Sequence, residues 1–223
     1  MGKKVGVIGL GNIGSQIAMY LAKNGFEVYG FDVRKEANEQ LVKDAGTAMD
    51  SAAAVSEASE VLISSLPSVK ALDAVLDEIQ PSISGKVLIE TSTLPLDVKL
   101  RAQEQVKAAG GQIVDSPLSG TAMQARKGDV VAYASADGGV VDSVQDVLDG
   151  FNRKTYDLGE YGTGTKMKII ANLLVAIHNV STAEAMVLAE KSGLDLNKVI
   201  EVVADGAGGS RMLEVRGPMM AGG

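Results

Sequence analysis

The sequence predicts an α/β protein, a doubly wound and mostly parallel sheet followed by an all-helical C-terminal region. Three observations carry that expectation. Short apolar runs alternate with helix-like stretches over the first two thirds of the chain. A glycine-rich turn, Gly9-Leu10-Gly11-Asn12-Ile13-Gly14, joins the first run to the first helix. Near Tyr161 the pattern changes, and the rest reads as helix with little interruption.

Val5–Leu10 reads as the first strand and Asn12–Asn24 as the first helix, with Ile13, Ile17, Tyr20 and Leu21 on one face and Gly25 as its stop. Glu27–Phe31 is the second strand, and further strands fall at Val61–Ser64, Val87–Glu90, Gln112–Asp115 and Val130–Ala134. Helices fill the gaps, including Ser68–Ile79 and Pro95–Ala109, with Pro81 and Gly85 marking a turn. Gly162–Gly164 reads as a flexible hinge. Beyond it come a long helix, Thr165–Lys191, a second helix, Leu194–Ala204, and a glycine-rich loop, Gly206–Gly209. The expected domains are a nucleotide-binding domain over 1–161 and the start of a helical domain over 162–223. The ending Ala221-Gly222-Gly223 is a poor end for a packed helical domain, so that domain is expected to be incomplete.

Composition narrows the function. At 223 residues, 46% hydrophobic and 22% charged, the chain fits an ordinary globular protein with a sizeable core. A net charge of -7 argues against nucleic acid, which needs clustered Lys and Arg. The absence of Cys excludes disulfides, thiolate nucleophiles and Cys-ligated metals, and a single His, His178, excludes His-rich metal sites. No uninterrupted apolar run approaches the roughly 18 residues of a membrane span. A cytoplasmic protein with no membrane partner is expected.

The glycines have separate duties. Gly9 makes the tight turn, Gly11 lets backbone approach a pyrophosphate, and Gly14 lets helix and strand pack closely. The helix beyond offers free N–H groups and a partial positive charge to the phosphates. The spacing gains weight because a strand precedes it, a helix follows, and an acid, Asp32, stands 18 positions past Gly14. A carboxylate there accepts ribose hydroxyls of NAD and repels the 2′-phosphate of NADP. Arg34, two residues on, could bind that phosphate, and it reads instead as a solvated first-turn side chain. NAD is the expected cofactor, with NADP possible. Val33 completes the expected adenosine-side stretch.

Three further stretches fall in a fixed order: Ser92-Thr93-Leu94-Pro95, Asp115-Ser116-Pro117-Leu118-Ser119-Gly120, and Gly162-Thr163-Gly164 followed by Lys168 and Asn172. Together with the glycine-rich turn they resemble the β-hydroxyacid dehydrogenase family, from about residue 4 to about residue 220. The resemblance implies that Lys168 is the catalytic lysine and Asn172 the substrate-orienting asparagine. It implies that Ser119, Gly120 and Thr121 hold the substrate carboxylate, and that Leu66, Pro67 and Thr93 line the cofactor. It also implies a small hydroxyacid or semialdehyde substrate and a homodimer or homotetramer. Two departures stand out: Thr121 replaces the family's second glycine, and Ala171 precedes Asn172 where an Asn is usual.

The residue types suit the chemistry. Oxidising an alcohol removes a hydride and a proton from one carbon–oxygen unit, so a side chain must take the proton at working pH. Lysine begins near ~10.4 and is brought down by burial and nearby cations. Lys168 and Asn172, four apart, share one helix face. His178, ten residues on, lies about 280° around the helix and reads as packing or surface. The apolar residues Leu173, Leu174, Val175, Ile177, Val180, Met186, Val187 and Leu188 need a cover, which either the missing part of the helical domain or a second subunit is expected to supply. Competing expectations are an NADPH-dependent reductase of small aldehydes, supported by Arg34, and a non-catalytic dinucleotide-binding scaffold. A 6-phosphogluconate dehydrogenase is disfavoured because Ile169-Ile170-Ala171-Asn172 follows Lys168 instead of a His-Asn pair. An imine reductase is disfavoured because those typically replace the lysine.

Overall fold

The computed structural model describes residues 2–120 and 122–222, the side chain of Ala122 excepted. The chain divides into two compact units, Met1–Lys168 and Ile169–Gly223. The division falls later than the 161/162 boundary expected from sequence, because the opening turn of the long helix is hydrogen-bonded into the first unit.

The first unit runs β1 (Lys4–Ile8), α1 (Gly14–Lys23), β2 (Glu27–Phe31), α2 (Lys35–Lys43), β3 (Thr47–Ala48), α3 (Ala52–Ala58), β4 (Val61–Ser64), α4 (Val69–Ile79), β5 (Val87–Glu90), α5 (Leu96–Ala108) and β6 (Gln112–Asp115). β7 (Leu118–Ser119), α6 (Ala122–Ala125), β8 (Val131–Ala134), α7 (Val140–Ser143), α8 (Gln145–Asp149) and β9 (Lys154–Asp157) follow. Strands β1 to β6 form one parallel sheet in the order β3-β2-β1-β4-β5-β6. A small second sheet, β7-β8-β9, joins it through a bridge between Asp115 and Ser135.

Alternation along the strands sorts the core into two layers. Val61 and Ile63 of β4 and Val87 and Ile89 of β5 pack with Ile17 and Leu21 of α1 on one face. Leu62 and Leu88 pack with Leu72, Leu76, Val98 and Val106 of α4 and α5 on the other. Both faces are covered, so the strands read as continuous apolar runs. Helix ends follow local chemistry: Ser51 and Ser68 accept hydrogen bonds from Ala54 N and Ala71 N and so cap α3 and α4. β1 stops at Ile8 instead of Leu10 because Gly9 takes φ 89°, and α1 starts at Gly14 because 11–13 form the turn.

The long helix is α9 (Thr163–Lys191), and its first turn through Lys168 belongs to the first unit. The expected flexible hinge is absent. Gly162 is buried at φ 89°, and Gly164 lies so close to strand β8 that a Cβ there would stand 2.1 Å from the Tyr133 carbonyl. These glycines serve close packing.

In the second unit, the rest of α9 is followed by α10 (Leu196–Ala204) and α11 (Arg211–Ala221). Asp195 caps α10 at Lys198 N and Ser210 caps α11 at Leu213 N. α11 carries Pro218 within it, and Gly217 packs closely on α10, where a Cβ would lie 3.1 Å from the Ile200 side chain. A small cavity of about 380 Å³ between these helices is lined by Met186, Val187, Leu196 and Met220. Met186 is buried, unlike Leu173, Ile177, Val180 and Leu188, which are half or more exposed. Among the described residues α9 is one helix long and apolar enough to cross a membrane by length and composition, with mean hydropathy 1.3. Counting uninterrupted apolar runs overlooks it because Asn172, His178 and Asn179 break the run while the average stays high.

Candidate active site

The strand order reverses between β1 and β4, which is where open α/β sheets leave a crevice beyond the strand ends. A cavity of about 680 Å³ occupies that crevice. Gly9, Gly11, Asn12 and Ile13 form one wall, Asp32, Val33 and Arg34 a second, and Leu66 and Pro67 a third. Sequence reasoning missed the floor from α4, where Ala71, Ala74, Val75 and Glu78 face the same space. Ala71 and Ala74, two small residues three apart on α4, were the readable signal. Leu10, Gly14 and Thr93 do not line the cavity. Leu10 is buried, and its N–H donates to Asp32 Oδ2 at 2.8 Å; Thr93 is exposed.

The glycines fit a pyrophosphate. A Cβ on Gly9 would stand 2.3 Å from the Ser65 carbonyl and one on Gly14 1.8 Å from the Gly9 carbonyl, so both are needed by the turn itself. A Cβ on Gly11 would meet nothing within 4 Å and would project into open space beside the cavity. α1 begins without a side-chain cap; Ser15 N and Gln16 N donate to the Gly11 and Ile13 carbonyls, which leaves the N–H groups of the glycine-rich turn itself to a ligand. These residues fit a dinucleotide.

Asp32 sits at the end of β2. Its Oδ1 accepts from Arg34 N at 2.9 Å and Arg34 Nε at 3.0 Å, and its Oδ2 from Leu10 N. Burial pushes this carboxyl's pKa up, but the Arg34 and Leu10 bonds outweigh it and hold the group below its ordinary value. Arg34 is accordingly not the free solvated side chain expected. It is 59% exposed yet paired with Asp32, and it also donates to the Leu10 carbonyl.

Ser119 is half-buried on β7, where it pairs with Val131, and Gly120 follows at φ 152°. Thr121 lies outside the described residues. Lys168 is half-buried, in the unit that holds the cavity, and burial lowers its pKa below the usual lysine value. Asn172 is exposed and belongs to the second unit, on the same helix.

A second polar centre escaped sequence reasoning. Lys99 of α5 is fully buried and pairs with Glu90 at the end of β5 and with Asp115 at the end of β6, the latter at 3.0 Å. The signal was present, since Lys99 falls on the same α5 face as Ala102 and Val106, where an apolar residue belongs. Burial pushes the Lys99 pKa down, and the two carboxylates outweigh it and raise it overall. Burial, with Asp115 and Glu90, also raises the pKa of the Tyr161 hydroxyl, which donates to the Lys99 carbonyl at 3.2 Å.

Comparison with known proteins agrees with this layout. The family described as the NAD binding domain of 6-phosphogluconate dehydrogenase matches residues 4–159. That described as the NAD-binding domain of NADP-dependent 3-hydroxyisobutyrate dehydrogenase matches 162–223. The 3-hydroxyisobutyrate dehydrogenase of Pseudomonas aeruginosa is 31% identical over 96% of this chain and 73% of its own length. Glyoxylate/succinic semialdehyde reductase 1 of Arabidopsis thaliana is 29% identical over 97% of this chain and 76% of its own length. The solved structure of a 3-hydroxyisobutyrate dehydrogenase from Salmonella typhimurium superposes with a TM-score of 0.87 at 26% identity, covering 99% of this chain and 79% of that one. The glycine-rich crevice, the parallel sheet that carries it and these matches place the chain in the β-hydroxyacid dehydrogenase family of NAD(P)-linked oxidoreductases.

Proposed function

We propose that the protein transfers a hydride between a nicotinamide cofactor and a small 3-hydroxyacid or its semialdehyde, with Lys168 as general acid/base. The observation that carries this reading is that Lys168 is half-buried in the unit of the cofactor cavity and that burial alone lowers its pKa. A lysine brought down toward working pH exchanges protons in both directions. When bound, the nicotinamide gives or takes the hydride. Neutral Lys168 Nζ takes the substrate hydroxyl proton in oxidation, and the ammonium returns it to the carbonyl oxygen in reduction. Asn172 orients the substrate through its side-chain amide, and backbone N–H groups at Ser119 and Gly120 hold the substrate carboxylate.

NAD is the preferred form. Asp32 projects a carboxylate at the cavity wall, and a 2′-phosphate gains Arg34 only by taking it from Asp32. The second reading, an NADPH-dependent reductase of small aldehydes, rests on Arg34 at the same wall and on the likeness to the Arabidopsis enzyme. The exposed stripe of α9 supports a homodimer or homotetramer, since an apolar helix face in water needs a cover.

The test is a panel of small 3-hydroxyacids and semialdehydes assayed with NAD and with NADP on the full-length protein, beside Lys168→Ala. Turnover of a hydroxyacid with NAD, lost about 10²–10⁴-fold in Lys168→Ala while dinucleotide binding persists, is the expected result. Faster turnover of aldehydes with NADPH selects the second reading. Dinucleotide binding with no turnover of any member would leave a non-catalytic module.

A further inference from the structure

The buried ion cluster is not needed to bind a dinucleotide, and its cost in desolvation calls for a reason. Glu90, Lys99, Asp115 and Thr165 are each 0% exposed. Two carboxylates face one ammonium, which leaves a surplus negative charge. That surplus is met by the N-terminus of α9, where Asp115 Oδ2 accepts from Thr165 N at 2.7 Å and Oδ1 from Thr165 Oγ1 at 2.8 Å. Helix N-termini carry unpaired N–H groups and a partial positive charge, which a carboxylate satisfies. Helix caps are normally local, and this one comes from a residue 50 positions earlier. It therefore fixes the helix start to the end of β6. Ser135 Oγ accepts from Gly164 N at 2.9 Å on the neighbouring strand, and Gly164 has no room for a Cβ, so the contact is tight on that side too.

The cluster also reaches the cofactor crevice. Glu90 Oε1 accepts from Ser92 N at 2.9 Å, and Ser92 Oγ accepts from Leu66 N at 2.9 Å, with Leu66 in the cavity wall. A continuous run of buried polar contacts thus leads from Leu66 through Ser92, Glu90, Lys99 and Asp115 to Thr165. Lys168 stands three residues farther along α9, still within the same unit.

We propose that Asp115 is a positioning residue for the hydride-transfer reaction: it clamps the first turn of α9, and Lys168 with it, to the sheet that bears the cofactor cavity, while Lys99 and Glu90 hold its carboxylate in place. The inference rests on the acid/base reading of Lys168. A proton-transfer group displaced by about 1 Å loses on the order of a hundredfold in rate, so a rigid mount has a direct kinetic value.

Asp115→Asn in the full-length protein removes the charge and keeps the size. The expected result is a fall in kcat of about tenfold or more, with the NADH dissociation constant changed less than about twofold. Hydrogen exchange at the amides of Thr165, Lys166, Met167 and Lys168 should quicken. Unchanged kcat, or kcat and NADH affinity falling together, would overturn the clamp. If Asp115→Asn does not fold, Thr165→Val decides by the same split, since it removes one donor to Asp115 and leaves the ion pairs intact; about a threefold loss of kcat or more, at constant NADH affinity, is expected there. Lys168→Ala separates the two claims. If it leaves the chemical step intact, the acid/base reading fails and Asp115 has nothing to position. If it abolishes turnover while both other variants keep full kcat, the clamp alone is refuted.

Discussion

Lys99 and Lys168 lie in the same compact unit and are shifted in opposite directions. Lys99 is fully buried against two carboxylates, and its charge is locked. Lys168 is half-buried and makes no ion pair among the described residues, so burial works on it unopposed and loosens its proton. On the proposed acid/base reading the same side chain is a fixed strut in one place and a proton carrier in the other, and the difference is the presence of paired carboxylates.

The comparison breaks most severely at Lys99. Lys99→Met fills the same space but leaves Glu90 and Asp115 buried with no cation, and removing one partner of a buried pair costs about 3–5 kcal/mol. Denaturant unfolding should show most of the domain's stability gone. A variant with unchanged unfolding midpoint would show that the locked charge is not structural. Lys168→Met, by contrast, should unfold normally, because a half-buried unpaired ammonium contributes little to folding.

Lys168→Arg sharpens the contrast on the kinetic side. Arginine keeps the positive charge but does not deprotonate, so it cannot serve as base. Oxidation should fall about 10²–10⁴-fold, as far as for Lys168→Ala, whereas a residue needed only for its charge would tolerate the change. Initial rates of the oxidation direction decide.

The pH responses should also separate. A depressed lysine pKa means that Lys168 is already neutral at some pH below the ordinary lysine value, so kcat/KM for oxidation should rise with pH through a midpoint under about 10.4 and the reduction rate should fall over the same window. For Lys99 the folded pKa is raised, so its contribution to stability is complete below the ordinary lysine value and is lost only as pH climbs through the elevated one. A pH–rate profile beside a pH–stability profile would therefore place the kinetic limb below the stability limb. Coincident limbs would mean that one group governs both.

The sequence made these two lysines unequally legible. Lys168 stands out through the family resemblance carried by Gly162-Thr163-Gly164 before it and Asn172 after it, and the glycine-rich turn and Asp32 stand out by spacing. Such features are local, and local spacing survives in a one-dimensional reading. Lys99, Glu90 and Asp115 come from three separate elements, and nothing in the chain says that the ends of β5 and β6 and the face of α5 converge. The only trace is a lysine on an apolar helix face. The same limit explains Gly164. Its place beside Thr163 suggests looseness, and only the fold reveals that Tyr133 leaves it no room for a side chain.

Arg34 stands between the two lysines and gives the smallest expected effect. Like Lys99 it is paired, with Asp32, but like Lys168 it is substantially exposed, so its partner can be exchanged at modest cost. With NAD bound, Arg34 should stay on Asp32 and steady the carboxylate proposed to meet the ribose. With NADP, the 2′-phosphate brings a second acceptor to the same guanidinium, and charge-assisted contacts of this kind favour the more highly charged partner. Removing the side chain should therefore leave folding and NAD affinity nearly unchanged and weaken NADP by roughly tenfold, the scale of one hydrogen bond to a charged group. Asp32→Asn should move the ratio the other way, by removing the repulsion and freeing Arg34. Parallel titrations of NADH and NADPH on Arg34→Ala and Asp32→Asn measure both. If Arg34→Ala weakens the two cofactors equally, Arg34 holds Asp32 rigidly as the carboxylates hold Lys99, and it does not exchange partners.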